Sequence, residues 1–316
     1  MSKKTILIAG GGGFLGSHLA AHFVENGDNV VVVDNFSTGR KANLVNLVGR
    51  PNYTIIEADI TNSLPVDITN MKFDIIANLA SPASPPHYQR LAIETLMVGS
   101  LGTQNLLDLA RTNNARFFQA STSEVYGDPE VHPQPESYKG SVNSYGPRSM
   151  YDESKRYAEA LIYAYREKYG ISTGIIRIFN TYGPNMDPMD GRVVSNLIVQ
   201  AIKNKPMTLY GDGNQTRSFC YVSDLINGFV RMIESDEEGP INLGNPNEFT
   251  IKQLAEEIVR LTGTTSKLVF EPLPGDDPMQ RQPVIDKARK LLGWEPKVQL
   301  SEGLEKTIEY FRQTVQ

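Results

Sequence analysis

Short apolar runs alternate along this chain with longer segments in which apolar positions recur every three to four residues. Thr5–Ala9, Asn29–Asp34 and residues 53–58, 75–79, 117–120 and 174–179 are the short runs. Their β-branched and aromatic content predicts buried strands. Residues 14–26, with Leu15, Leu19 and Phe23 along one side, residues 93–113 and Ser149–Tyr169 carry the helical period. Strand and helix in turn predict an α/β fold, a doubly wound parallel sheet with helices on both faces. After Asn180 the pattern changes. Loops rich in Pro, Gly and Asp (YGPNMDPMDG, YGDGNQTRS, EPLPGDDPMQ) separate helices near residues 195–204, 251–262 and 300–313. A smaller C-terminal α/β domain is expected there, capping the C-terminal edge of the sheet. Residues 219–243 are expected to return to the first domain. The larger domain is thus residues 1–179 plus about 219–247, and the smaller one 180–218 plus 248–316.

Composition changes this picture little. The 316 residues are 40% hydrophobic and 21% charged, enough chain for two subdomains around substantial cores. A net charge of −5, with scattered basic residues, argues against a nucleic-acid partner. One cysteine, Cys220, rules out an internal disulfide or a zinc cluster and suits a reducing compartment. His18, His22, His87 and His132 form no ligand cluster, so no metal is expected. The N-terminal apolar run turns glycine-rich too soon for a signal peptide or a membrane span. The expectation is a soluble cytoplasmic protein with no membrane partner.

Candidate chemistry begins at Gly10-Gly-Gly-Gly13-Phe14-Leu15-Gly16, placed between a strand and a helix. Glycines at this spacing permit a tight turn and let backbone N–H groups approach a pyrophosphate at a helix N-terminus. That makes the doubly wound sheet a Rossmann domain. Asp34 ends the next strand, where an acid meets the adenosine ribose hydroxyls, with Asn35 beside it. Asp34 would repel a 2′-phosphate, which favours NAD over NADP; Arg40, nearby, pulls the other way. Asp59 and Ile60 follow the third strand, where a side chain can meet the adenine, although Asp59 alone reads as a cap. Leu79 and Ala80 close the fourth strand at the same cofactor edge.

Tyr151 and Lys155 lie one helical turn apart, on one face. An ammonium beside a phenol stabilises phenolate and is expected to lower its pKa. Such a phenol can take a proton from a substrate hydroxyl. Ser121-Thr-Ser-Glu-Val-Tyr-Gly127 brings hydroxyls and a carboxylate to the end of a strand.

Together GxxGxxG, STSEVYG, YxxxK and Arg177-Ile-Phe-Asn-Thr-Tyr-Gly-Pro184 resemble the extended short-chain dehydrogenase/reductases that modify nucleotide sugars. Further segments, over nearly the whole chain, are similar to the UDP-glucuronate decarboxylase (UDP-xylose synthase) branch. They are LASPASPPHY from Leu79, SEVYGDP from Ser123, DGRVVSN from Asp190, YGDGNQTRSF from Tyr210, LGNP from Leu243, Asp276-Asp277-Pro278 and LGWEP from Leu292. The resemblance implies oxidation at C4 of UDP-glucuronate, loss of CO2 from the 4-keto sugar, protonation at C5 and return of hydride from NADH to C4. It implies Tyr151 as base, Lys155 on the phenol and the nicotinamide ribose, and Thr122 on the C4 oxygen. Glu124 either orders the water that protonates C5 or is itself the acid. Arg192 meets the glucuronate carboxylate or orients Glu124. Asn180 is expected on the nucleotide, Arg217 and Arg281 on the diphosphate, Tyr210 against the uridine, and Pro85 and Val194 at the substrate. A homodimer through a bundle of the helices 93–113 and 149–169 is implied as well.

The chain departs from that branch in four places: Asn78 for His, Gly99 for Asn, Ser144-Tyr145 for Pro-Ile, and Ser154 for Gly. Rival readings are a UDP-glucuronate or UDP-hexose 4-epimerase, a sugar 4,6-dehydratase, and an NAD-sensing module. Dehydratases typically place Asp before the Glu, where this chain has Ser123. A sensor would have lost Tyr151 or Lys155.

Overall fold

A computed structural model describes residues 3–272 and 280–315. The Asp276-Asp277-Pro278 segment lies outside the described residues. Seven parallel strands form the central sheet: β1 (Thr5–Ala9), β2 (Asn29–Asp34), β3 (Tyr53–Glu57), β4 (Ile75–Asn78), β5 (Arg116–Thr122), β6 (Thr173–Ile178) and β7 (Ile241–Leu243). They lie in the order β7-β6-β5-β4-β1-β2-β3. From β1 the chain moves outward to β3, then crosses to β4 on β1's other side. The loops after β1 and β4 therefore diverge and open a crevice at the carboxyl ends of the strands. Side-chain alternation feeds two cores. Ile6 and Ile8 pack in one layer with Leu19 and Phe23 of the helix Phe14–Glu25, while Leu7 and Ala9 face Leu106, Leu107 and Ile162.

The helix predicted over 93–113 is present but interrupted. It runs Ala92–Met97, widens into a π turn at Val98–Gly102, and continues as Thr103–Asn113. Gly99 in that turn abuts the helix Ser149–Tyr169: a Cβ added there would stand 2.6 Å from Ser154 Cβ. Two departures from the decarboxylase pattern thus meet face to face. A smaller residue at 99 accompanies a larger one at 154, and one helix contact absorbs both. Asn78, a third departure, is buried and donates to Gln119 Oε1 at 3.0 Å, whereas Tyr145 is exposed.

The helix Val222–Glu234 leads to β7, which joins the central sheet beside β6, while Cys220–Tyr221 pair with Thr181–Tyr182 outside it. Beyond β6 the remaining strands are two to four residues long. Thr216–Ser218 pairs antiparallel with Glu248–Thr250 and parallel with Gln280–Arg281; Met207–Tyr210 pairs with Leu268–Glu271. Helices Val193–Ile202, Ile251–Thr262 and Leu300–Thr314 pack around them. The second of these opens with a capping box between Thr250 and Gln253. The first begins ahead of its predicted start, because the Asp190 carboxylate accepts from Arg192 N–H and Ser195 Oγ and so fixes the opening turn. Among the described residues no helix is long and apolar enough to cross a membrane.

Candidate active site

The glycine loop sits where the crevice opens. Gly10 has φ +78°, and a Cβ there would lie 2.6 Å from Ala80 N, so the turn and the β4 loop meet only across a glycine. A Cβ on Gly16 would run into the Gly10 carbonyl. Gly13 is the N-cap of Phe14–Glu25, whose first residues, Phe14, Leu15 and Gly16, line the crevice. Asp34 accepts N–H bonds from Gly12 and Phe36, both at 2.8 Å. Burial raises its pKa, and those two N–H groups work against the shift. Gly10, Gly13, Asp34, Asn35, Asp59, Ile60, Leu79 and Ala80 line one cleft. It adjoins a second, lined by Gly13–Gly16, Ser121, Tyr151, Lys155 and Arg192. Asp59 also caps its own turn, accepting from Thr61 N at 2.8 Å, Thr61 Oγ1 at 2.7 Å and Asn35 Nδ2 at 3.0 Å. Burial would raise its pKa, but these bonds leave it lowered. Arg40 lines the second cleft, with its guanidinium tied to the C-terminal part of the chain. Its Nη2 donates to Tyr310 Oη at 3.0 Å and Met186 O at 3.2 Å. The groove therefore suits a dinucleotide whose adenosine ribose bears free hydroxyls.

At the far end Tyr151 and Lys155 project together from Ser149–Tyr169. Tyr88, on the short helix Pro85–Arg90, stacks on the Tyr151 ring with centroids 5.0 Å apart and planes 8° apart. Thr122, the last residue of β5, shares a hydrogen bond with the phenol. The expected acidification of Tyr151 is not present. Burial pushes the phenol up to about 12, with Thr122 and Arg192 pulling down and Glu124 and Asp152 pushing up. Lys155 Nζ is instead held by Ala120 O at 3.0 Å, and burial lowers its pKa to about 8. Desolvation outweighs the ammonium–phenol attraction here.

Glu124 is clamped. Arg281 Nη1 lies 2.7 Å from Oε1 and Arg148 Nη2 2.5 Å from Oε2. Burial opposes its charge, yet Arg281, Arg148 and Arg217 overcome that and hold its pKa below the ordinary range. A carboxyl so held is an anion at neutral pH, which removes it as the acid. Arg192 does not orient it: its Nε and Nη2 fork onto Asp190 Oδ2 at 2.8 and 2.6 Å. It remains at the cleft wall, over the Phe14 ring at 5.7 Å. Arg281 also departs from expectation. Strand pairing with Thr216–Ser218 turns it inward, where it is 3% exposed and donates to Ser123 Oγ and Gly127 O as well as meeting Glu124.

The other expected substrate residues are dispersed. Asn180 is half-buried and its carbonyl accepts from Cys220 N. Arg217, on Thr216–Ser218, is near enough to act on Glu124. Pro85 begins the helix that carries Tyr88. Val194 is buried in the core, a packing residue rather than a contact surface. Tyr210 stands partly exposed at the end of Met207–Tyr210. Three residues escaped the sequence reading. Arg148 and Asp152 flank Tyr151 in the chain, and Tyr88 closes the ASPASPPHY run. The Asp152 carboxyl is buried with Oδ1 unpartnered, and burial with Glu124 nearby raises its pKa to about 7.

Residues 7–307 match the family described as GDP-mannose 4,6 dehydratase. UDP-glucuronic acid decarboxylase 1 of Xenopus tropicalis is 51% identical over 99% of this chain and 73% of its own length. UDP-glucuronic acid decarboxylase 5 of Arabidopsis thaliana is 49% identical over 98% of this chain and 90% of its own. Among solved structures, the UDP-glucuronic acid 4-epimerase of Bacillus cereus, in complex with UDP-glucuronic acid and NAD, superposes with TM-score 0.89 at 29% identity, covering 98% of this chain and 99% of that one. The Thermotoga maritima UDP-glucose 4-epimerase with UDP-glucose gives 0.90 at 29%, over 99% and 100%. On this likeness, the chain belongs to the UDP-glucuronic acid decarboxylase family, within the wider group of nucleotide-sugar epimerases and dehydratases.

Proposed function

We propose that the protein decarboxylates UDP-glucuronate to UDP-xylose with NAD. The observation that carries this reading is the near-full-length identity of about half to UDP-glucuronic acid decarboxylases, in a chain with Tyr151 and Lys155 lining one end of the groove and Thr122 hydrogen-bonded to Tyr151. NAD supplies a reversible electron acceptor at C4 and ends each cycle unchanged. Tyr151 Oη takes the C4 hydroxyl proton and gives it back to the C4 oxygen. Thr122 hydrogen-bonds that phenol and the C4 oxygen, where charge gathers once CO2 has left. Lys155 steadies the phenolate and the nicotinamide ribose. Arg192, at the cleft wall, faces the glucuronate carboxylate. Glu124 acts as a fixed anion that orders the water protonating C5. Arg148 and Arg281 keep it so, which makes Arg281 a support of that carboxylate rather than a diphosphate ligand. Arg217, Asn180 and Tyr210 serve the nucleotide from the smaller domain.

Ser123 supports decarboxylation over dehydration. Its hydroxyl accepts from Arg281 at the position where a dehydratase needs an acid. The solved 4-epimerases carry the one competing reading, because the same first oxidation serves epimerisation. Incubation with UDP-glucuronate and NAD, followed by mass spectrometry, decides between them. A product lighter by CO2 is expected; an isomer of unchanged mass with inverted C4 would establish the epimerase.

The proposal extends to assembly and place. Leu96 and Leu101 are exposed on one segment, whose Ile93 and Met97 line the cofactor cleft, and Tyr157 and Tyr163 are exposed on the helix beside it. That apolar face supports a homodimer built from these two segments of each copy. Cys220, buried and unpaired, agrees with work in the cytoplasm.

A further inference from the structure

Lys155 is 5% exposed, and its Nζ donates to Ala120 O. A carbonyl dipole is a weak counter-charge for an ammonium taken out of water. One turn further along the same helix, on the same face, stands Glu159. Its carboxylate is fixed by Ser121 Oγ at 2.6 Å, Arg177 Nε at 3.0 Å and Arg177 Nη2 at 2.7 Å. Ala120 and Ser121 are consecutive on β5. One strand end thus holds the lysine by a carbonyl and the glutamate by a hydroxyl. Behind them Arg177 Nη1 donates to Tyr126 Oη at 3.0 Å, and Tyr126 donates to Asn242 Oδ1 at 2.7 Å. Ser121, Arg177 and Asn242 anchor the set on three neighbouring strands, β5, β6 and β7.

We propose that Glu159, one helical turn from Lys155 and joined to it by no direct ion pair, is a positioning residue whose fixed carboxylate supports the lysine at the cleft through space, with Arg177 and Ser121 setting how strongly it acts. The inference rests on the role given to Lys155 above. Glu159 lies behind the cleft wall and acts through the lysine. Lys155 donates to the Ala120 carbonyl and lies 5.9 Å from the centre of the Tyr151 ring; Glu159, held by Ser121 and Arg177, follows one turn on, and Asp187, Asp190 and Arg192 line the same cleft. In the balance of charges, burial lowers the lysine and Glu159 opposes it. Arg177 mutes Glu159 and so tempers its hold.

The test reads the lysine itself. Carbon NMR of protein labelled at lysine Cε, assigned with Lys155→Arg, follows the titration without substrate. Glu159→Gln removes the anion and leaves Arg177 unbalanced; the Lys155 midpoint is expected to fall by about one pH unit or more. Arg177→Met exposes the lysine to the full glutamate charge and is expected to move the midpoint up. Ser121→Ala keeps both charges and is expected to shift it by less than either. NAD affinity, measured at pH 6.5 and 8.5, is expected to weaken in Glu159→Gln by about tenfold more at the higher pH. An unmoved midpoint in Glu159→Gln, or shifts of one sign in Glu159→Gln and Arg177→Met, overturns the proposal, since a merely structural glutamate gives no opposed pair. Should Glu159→Gln not fold, Glu159→Asp draws the charge back by one methylene, and an unmoved midpoint there overturns it equally. A shifted midpoint with an unchanged pH profile of turnover would instead strike the role given to Lys155.

Discussion

Glu124→Gln tests the clamp most directly. The carboxylate bridges two guanidinium groups, and its side chain is 17% exposed against 19% for Arg148 and 3% for Arg281. Glutamine keeps the shape and removes the charge, stranding two cations in a dry corner. Removing one partner of a buried pair costs about 3–5 kcal/mol. Partial access of water to Arg148 places this case near the lower end, at about 3 kcal/mol. For a chain of this size each kcal/mol lowers Tm by about 2 °C, so a loss of roughly 6 °C is expected. Scanning calorimetry at pH 7 measures it. The pH dependence has a definite sign. The folded pKa of Glu124 lies below its unfolded value, with burial opposing and the arginines prevailing. Its stabilisation is therefore present above the ordinary glutamate pKa and lost as pH falls through the folded one. The gap between wild type and variant should hold from pH 8 to about 5 and close only below the ordinary value of about 4.3. Glu124→Gln/Arg148→Met should recover part of the loss, since one stranded cation is gone. A variant melting with the wild type at pH 7, or a gap that closes already near pH 6, would refute the reasoning.

Tyr151→Phe removes the hydroxyl assigned to take the C4 proton; turnover should fall by about 10²–10⁴, while NAD, assayed by release from denatured protein, stays bound. Asp152→Asn should be no less stable than wild type at pH 8. The carboxyl's folded pKa, raised by burial to about 7, lies above its unfolded value, so its stabilisation is present below the unfolded pKa and lost as pH rises through about 7. Melting curves from pH 5 to 8 should accordingly slope less in the variant than in the wild type. Gly10→Ala forces a Cβ to 2.6 Å from Ala80 N at φ +78°; the purified variant should lose bound NAD and melt several degrees lower, and retention of both would show that the β4 loop can yield.

Where the chain's own covalent neighbourhood decides conformation, the residues alone were enough. Ser149–Tyr169 and Ile251–Thr262 form as their periods predict, and β1 and β2 stop where Gly10 and Asp34 said they would. The π turn at Val98–Gly102 was hidden, because an inserted residue in a helix leaves the apolar spacing almost intact. Strands of two or three residues are too short to carry a period at all. Within the candidate site, the resemblance brought together Thr122, Glu124, Tyr151, Lys155 and Arg192 on the right edge of the sheet. It misjudged partners. Arginine's fork suits a carboxylate as well as a phosphate, so nothing in a loop arginine reveals that Arg281 will turn to Glu124, or Arg192 to Asp190. Sequence also could not weigh burial against charge for Tyr151 and Lys155, since burial is a property of the assembled fold.

The end of β5 explains why STSEVYG is polar where a buried strand would otherwise be apolar. Each residue there has a different task in a different direction. The Ala120 carbonyl takes Lys155, Ser121 takes Glu159, Thr122 meets Tyr151, and Ser123 and Glu124 take Arg281, with Arg148 closing on Glu124. As the strand gives way to a short 3-10 turn at Ser123–Tyr126, alternation breaks down and consecutive side chains fan out instead of opposing one another. An apolar substitute at Glu124 would strand two buried cations, and one at Thr122 would take a partner from the Tyr151 phenol, at a cost of about 1–3 kcal/mol or more for each group left unpaired. An aspartate at 123 would do the opposite harm. It would compete with Glu124 for Arg281, release one carboxyl toward protonation and supply the acid that dehydration needs. By that argument the serine does more than leave an acid out: it keeps Arg281 committed to Glu124, and with it the anion on which the proposed protonation at C5 depends.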